Sequence, residues 1–77
     1  MRPREGSVQA HFRNRVRLAR TERGLTQAEL AARAAVTRQT ISSIENGQYV
    51  PSEKLALVLG KVLGKAVEDL FYLAESV

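Results

Sequence analysis

A chain of 77 residues with no cysteine and a single histidine makes one small domain and excludes disulfides and thiolate metal centres. His11 has no acidic cluster near it, so no metal site is expected, and no apolar run approaches the ~20 residues that cross a bilayer. The net charge of +4 is unevenly spread: residues 1–23 hold seven Arg against Glu5 and Glu22, while the last twelve residues hold Glu68, Asp69 and Glu75 and no base. That polarity suits a molecule that sets one end on a polyanion, and equally suits a solvated basic helix face.

Residues 1–9 (MRPREGSVQ) carry Pro, Gly and Ser without apolar periodicity, so a flexible basic arm is expected. Arg2 and Arg4 could reach a phosphate or a minor groove, or have no role. The start is basic but lacks an apolar core, so it is not read as a secretory signal. With no cysteine, a cytoplasmic location is expected.

The domain is expected over 10–77, as an all-α bundle of five helices with no strand. Helix 1 should run from about Gln9 or Ala10 to Arg23, with Phe12, Val16, Leu18 and Ala19 as its core stripe. Arg13, Arg17 and Arg20 then lie on or beside another face, and Gly24 stops the helix. Thr26 and Glu29 have the spacing of a capping box at the start of helix 2, where Leu30, Ala31 and Ala34 point inward. Ala35-Val36 is the turn. Helix 3 opens at Thr37, buries Ile41 and Ile44, and leaves Arg38, Gln39, Thr40, Ser42 and Ser43 outside. Gly47 stops it, and Pro51 forces Val50 to be extended. Ser52 caps helix 4, whose Leu55, Leu57, Val58, Leu59, Val62 and Leu63 make a wide apolar face, central to the core or shared with a partner. Gly64 ends it. Helix 5 should span about Val67 to Leu73, with Leu70 and Phe71 closing the core.

Two short helices across a tight turn, with polar residues leading the second, have the geometry of a helix-turn-helix over residues 27–46. The run from Val16 to Phe71 resembles the phage-repressor and Cro-like helix-turn-helix family, the XRE-type regulators. The matching pieces are RVRLARTERGLTQAELA, AAVTRQTISSIENG, the Pro-Ser start of helix 4, and LGKAVEDLF. Their order and spacing together are specific.

The resemblance implies a lambda-repressor-like five-helix domain that binds double-stranded DNA, usually as a homodimer, and regulates transcription as a repressor at the nucleoid. It implies that Gln27 contacts phosphate, that Thr37, Arg38, Gln39 and Ser43 face the groove, and that Asn46 contacts the backbone. It also implies an internal salt bridge between Arg20 and Glu45. Two positions depart from the pattern. Ala35 stands where the turn often has Gly, at a cost of about 1 kcal/mol if that position needs positive φ. Ala66 replaces the usual polar cap of helix 5.

The residue chemistry agrees with those assignments and leaves alternatives open. An Arg38 guanidinium can donate twice to guanine O6 and N7, and a Gln39 amide can pair with adenine N6 and N7. Thr40 and Ser43 can touch a thymine methyl or a base edge. Arg38 could instead clamp a phosphate, and Gln39 could simply be solvated. With Gln27 at a helix N-terminus, its side chain and the free backbone N–H groups could hold a phosphate, as could Thr37. Asn46 could hold a phosphate or cap helix 3. Arg13 and Arg17 are expected to give long-range attraction without defined contacts. Leu57, Tyr72, Leu73 and Val77 are candidate dimer-interface residues, or they merely close the core. No nucleophile sits with a base, so no catalytic residue, cofactor or metal is expected. Two other readings stay open: an antitoxin that grips a toxin and represses its own operon, and a protein-interaction module on the same fold.

Overall fold

The computed structural model describes residues 10–75. The expectations placed on the arm at 1–9 and on Val77 lie outside the described residues. The elements run in the order β1 (Ala10–Asn14), α1 (Val16–Glu22), α2 (Gln27–Ala34), α3 (Arg38–Glu45), α4 (Glu53–Leu63), α5 (Val67–Leu70) and β2 (Phe71–Glu75). Among the described residues the domain is therefore mostly helical, with five helices, but it is not all-α.

The strands correct the sequence reading at both ends. Ala10–Asn14 pairs antiparallel with Phe71–Glu75, in the register Phe12 opposite Leu73 and Asn14 opposite Phe71. Helix 1 thus begins six residues later than expected, and helix 5 stops at Leu70. Asn14 supplies a physical reason for the first change. Its Oδ1 accepts the Val16 N–H at 3.1 Å, and its Nδ2 donates to the Ile44 carbonyl at 2.9 Å. A short amide that competes for backbone groups in this way favours a break over a continuing helix. The Phe12 ring stacks on Phe71 with centroids 5.8 Å apart. Phe12 stays 46% exposed and Leu18 54% exposed, so neither belongs to the core stripe expected of helix 1.

The core lies among the helices. Val16, Leu30, Ile41, Ile44, Leu59, Leu63 and Leu70 are almost wholly buried, and Ala19, Ala31, Ala34 and Phe71 complete the packing. Val36 packs against this cluster, half-buried, as the plug the turn required. On α4 Leu59 and Leu63 are buried together with Ala56 and Gly60, Leu55, Val58 and Val62 pack half-buried against the core as expected, and Leu57 alone of the expected face is exposed. Gly60 lets α4 and the chain after it meet closely: a Cβ there would stand 2.7 Å from the Lys65 carbonyl oxygen.

The caps follow the sequence. Thr26 Oγ1 accepts from the Glu29 N–H at 3.0 Å, and the Glu29 carboxylate accepts the Thr26 N–H at 2.8 Å. Thr37 and Ser52 accept the Thr40 and Leu55 N–H groups at 3.1 Å. Ala66 makes no side-chain cap, as its type dictates.

Ala35 occupies the left-handed region, with φ 60° and ψ 41°. A Cβ in that region costs about 1–2 kcal/mol. Ala35→Gly would relieve that strain and give back a smaller amount through the freer unfolded chain. The expected result is a net gain of about 0.5–1 kcal/mol in urea denaturation at unchanged m. An unchanged or lower midpoint would show that the turn is not strained.

Candidate nucleic-acid interface

Glu45, the last residue of α3, organises the face of the molecule that carries the candidate residues. Its side chain is fully buried, yet it is a carboxylate. Burial of such a charge is tolerable only if it is paired and hydrogen-bonded. Arg20 supplies most of that pairing, with Nε donating to Oε2 at 2.6 Å and Nη2 to Oε1 at 3.2 Å. The remaining Arg20 nitrogen, Nη1, donates to the Leu25 carbonyl at 2.8 Å, which ties α1 to the segment before α2. The expected Arg20–Glu45 bridge is present, and two further donors reach the same carboxylate. Gln27 Nε2 donates to Oε1 at 3.0 Å and Arg17 Nε at 3.3 Å.

Arg17 therefore has defined contacts, contrary to the sequence expectation. Its Nη2 also donates to Asn46 Oδ1 at 3.1 Å. Arg17 remains 60% exposed, so its pairing is screened by water and worth little by itself.

Burial alone would raise the Glu45 carboxyl pKa, and it is the largest single influence. The hydrogen bonds from Arg20 and Gln27, the Arg20 charge and the Arg17 bond together outweigh it and hold the group below the usual carboxylate value. The Arg20 guanidinium is pushed the other way, upward, chiefly by its bond to Glu45. A depressed carboxyl pKa means that the stabilisation is complete above the ordinary value of about 4.3 and is lost as pH falls through the folded value. The unfolding free energy should decline as pH drops from about 5 to about 3. Glu45→Gln, though less stable at neutral pH, should show a shallower decline over that window in urea titrations. Parallel pH profiles would contradict the assignment.

The network continues outward. Gln27 Oε1 accepts from Arg38 Nη1 at 3.4 Å, a long contact. Because the Gln27 NH2 must face the Glu45 carboxylate, its oxygen must face Arg38. One amide N–H of Gln27 and the unpaired backbone N–H groups of the first turn of α2 then remain for an outside acceptor. Arg17, Arg20, Gln27, Glu45, Asn46 and Arg38 form one connected polar surface.

Arg38 and Gln39 are exposed on the first turn of α3, and Thr40 and Ser43 follow, half-buried. Thr37 Oγ1 lies 3.0 Å from Thr40 Oγ1, so both hydroxyls are engaged with each other and with the cap. Gln39, Thr40 and Ser43 share a surface groove of about 320 Å³ with Gln48 and Tyr49. Gln48 and Tyr49 lie in the loop between α3 and α4, where no periodicity singles them out. The signal that could have found them is Tyr49 itself, a large aromatic just after a polar helix, here 46% exposed. Asn14 was also missed; nothing in its local sequence announces a bond to the carbonyl of Ile44. Of the candidate dimer residues, Leu57 and Leu73 are 59% and 66% exposed. Tyr72 lies half-buried under the Arg15 guanidinium, 3.9 Å from its ring centre. Among the described residues no group of three or more His, Asp or Glu could hold a metal ion, and no helix is long and apolar enough to cross a membrane.

Comparison with known proteins agrees with this arrangement. The helix-turn-helix family model HTH_3 matches residues 16–70. An uncharacterized HTH-type transcriptional regulator of Methanothermobacter thermautotrophicus is 50% identical over 65 residues, covering 83% of this chain and 94% of that protein. The uncharacterized HTH-type transcriptional regulator YgzD of Bacillus subtilis is 43% identical over 64 residues, 83% of this chain and 97% of its own length. Among solved structures, the restriction-modification controller protein C.AhdI of Aeromonas hydrophila superposes with a TM-score of 0.67 at 31% identity, over 71% of this chain and 80% of that one. A Bacteroides fragilis protein shares the fold with a TM-score of 0.73 at 21% identity, over 79% of this chain and 98% of that one. With the match spanning α1 through α5 and the buried Arg20–Glu45 pair holding α3 against α1, the chain belongs to the Cro/C1-type (XRE) helix-turn-helix family.

Proposed function

We propose that the protein binds double-stranded DNA in a sequence-dependent way and regulates transcription, with α3 lying in the major groove. The observation that carries this reading is the division of α3. Ile41 and Ile44 are fully buried, Glu45 anchors its end, and Arg38, Gln39, Thr40 and Ser43 form the polar face left to a partner. Arg38 and Gln39 are the base readers, and Thr40 and Ser43 contribute shorter contacts to base edges and thymine methyls. Gln27, Thr37 and Asn46 flank that face and hold the phosphates on either side, where they set orientation but carry no sequence information.

One such helix reads only a few base pairs. A homodimer that presents two copies of α3 to half-sites about 34 Å apart doubles the contact, and Leu57, Tyr72, Leu73 and Val77 are the residues we assign to its interface. Bound in that way in the cytoplasm, at the nucleoid, the protein would act as a repressor by occupying its operator. Selection of duplexes from a random pool, followed by titration at rising salt, tests the reading. It expects an enriched inverted repeat and an affinity that falls linearly with salt on a log–log plot, by about 0.9 per neutralised phosphate. Failure to enrich any motif, or affinity indifferent to salt, would overturn it.

A further inference from the structure

The chain after α3 does not leave the helix at once; it folds back along it. The helix closes at Asn46, and the next two residues return their N–H groups to it. Gly47 donates to the Ile44 carbonyl at 3.0 Å and Gln48 to the Ser43 carbonyl at 2.9 Å. That paired closure needs a left-handed residue just past the cap, and Gly47 supplies it with φ 76°. Tyr49 is thereby set beside the outer face of α3, where it borders one groove with Gln39, Thr40, Ser43 and Gln48.

The groove has a chemistry of its own. None of its five lining residues is charged, although Arg38 stands in the same turn of α3 as Gln39 and Thr40. A phosphate therefore finds stronger partners outside it. The Thr40 hydroxyl is turned back to Thr37 Oγ1, 3.0 Å away, and that oxygen also accepts the Thr40 N–H. The methyl is the group Thr40 has left to offer the groove. Beside it lies the Tyr49 ring, 46% exposed, with no ring contact or hydrogen bond among the described residues. The core does not use this ring.

We propose that Tyr49 is a further base-reading residue: its ring and the Thr40 methyl form an apolar slot that takes the C5-methyl of a thymine in the major groove. This inference rests on the DNA-binding reading above and names a contact which that reading lacks. Of the groups that base pairs present in the major groove, the thymine methyl alone is apolar; the others are hydrogen-bond donors and acceptors. An uncharged slot walled by a methyl and a ring therefore favours thymine over cytosine, which has an amino donor and no methyl on that edge. Ser43 lies three residues beyond Thr40, on the same face of the helix, and brings a hydroxyl that can donate to the thymine O4 next to the methyl.

The backbone closure makes this contact preorganised. With Gln48 bonded to the Ser43 carbonyl, the start of the loop and the last turn of α3 meet DNA as one surface. A tyrosine ring also has few torsions to fix for the area it covers, so ordering it on binding costs little. The discrimination comes from ring and methyl surface, and the Tyr49 hydroxyl is not needed for it.

Replacing thymine by deoxyuridine in the selected operator tests the proposal, because it removes the methyl and keeps O4 and the base pairing. Each thymine is replaced in turn, symmetrically in both half-sites. Wild type, Tyr49→Ala and Tyr49→Phe are titrated against each duplex, with thermal unfolding to verify the fold. One position is expected at which deoxyuridine weakens wild-type binding about tenfold, close to what burying one methyl in each half-site is worth. Tyr49→Ala should bind the thymine operator about as weakly as wild type binds the deoxyuridine one, and should be indifferent to the swap. Tyr49→Phe should match wild type on both, and random duplex should bind all three alike. Equal losses for Tyr49→Ala on operator and random duplex would assign Tyr49 to the phosphate backbone and overturn the slot. So would a Tyr49→Ala that still senses the missing methyl, or an operator without a methyl-sensitive thymine. Each of these leaves the DNA-binding reading standing, whereas failure to enrich any motif would overturn both.

Discussion

Arg20→Ala is expected to lower the unfolding free energy by about 3 kcal/mol, the low end of what removing one partner of a buried ion pair costs. The Glu45 side chain has no exposed surface and that of Arg20 only 13%, so water cannot replace the lost guanidinium. Arg17 and Gln27 would still donate to Oε1, which keeps the loss from being larger. Oε2 would lose its 2.6 Å partner and the Leu25 carbonyl its donor. For a domain of this size the midpoint of thermal unfolding should fall by about 12–24 °C. Arg20→Lys should recover little, because one ammonium cannot reach both carboxylate oxygens and a carbonyl at once.

The double variant separates the pair from its parts. With Arg20→Ala and Glu45→Ala combined, no buried charge is left alone, so the double should be less destabilised than the sum of the singles, by about 1–3 kcal/mol. Additive losses would mean that the two side chains stabilise the domain independently. A drop of less than about 4 °C for Arg20→Ala would show that the pair is not a main fastening of α3.

What the sequence made legible, and what it hid, divides along contact range. Caps are set by residues three apart, and Thr26, Glu29, Thr37 and Ser52 all act as their types dictate. The buried faces of α2 and α3 follow from their own periodicity. The β1–β2 ribbon does not, because it joins residues some sixty positions apart, and each strand alone is locally ambiguous. Phe12, Val16 and Ala19 have helical spacing, yet Asn14 draws the chain out of the helix through a bond to Ile44, thirty residues on. The centre of the site was read through the Arg20–Glu45 pair. Its extent was not: Arg17, Gln27 and Arg38 converge only once α1, α2 and α3 are packed, and no spacing rule encodes that convergence. Ala35 is the reverse case. The sequence posed the question of a turn without glycine, and φ of 60° answers that the turn keeps its left-handed geometry.

Arg38→Ala is expected to have the largest effect on operator binding while leaving the fold intact. Arg38 is exposed at the start of α3, and its one long contact, to Gln27, contributes little to stability. A bidentate arginine–guanine pair discriminates by about 1–3 kcal/mol, so two half-sites of a symmetric operator should lose about 2–6 kcal/mol together. Random duplex offers the same guanidinium only phosphate attraction. There the loss should be small, uniform across sequences, and visible mainly as a salt slope shallower by about one per subunit. Arg38→Lys separates charge from geometry: it keeps the phosphate attraction and lacks the planar fork, so it should follow Ala on the operator and wild type on random duplex. Gln27→Ala provides the contrast. As a phosphate contact it should weaken both duplexes to the same degree. Titrations of operator and random duplex at matched salt decide among these outcomes. Equal losses for Arg38→Ala on the two would assign Arg38 to the phosphate backbone and leave Gln39, Thr40 and Ser43 to read the bases.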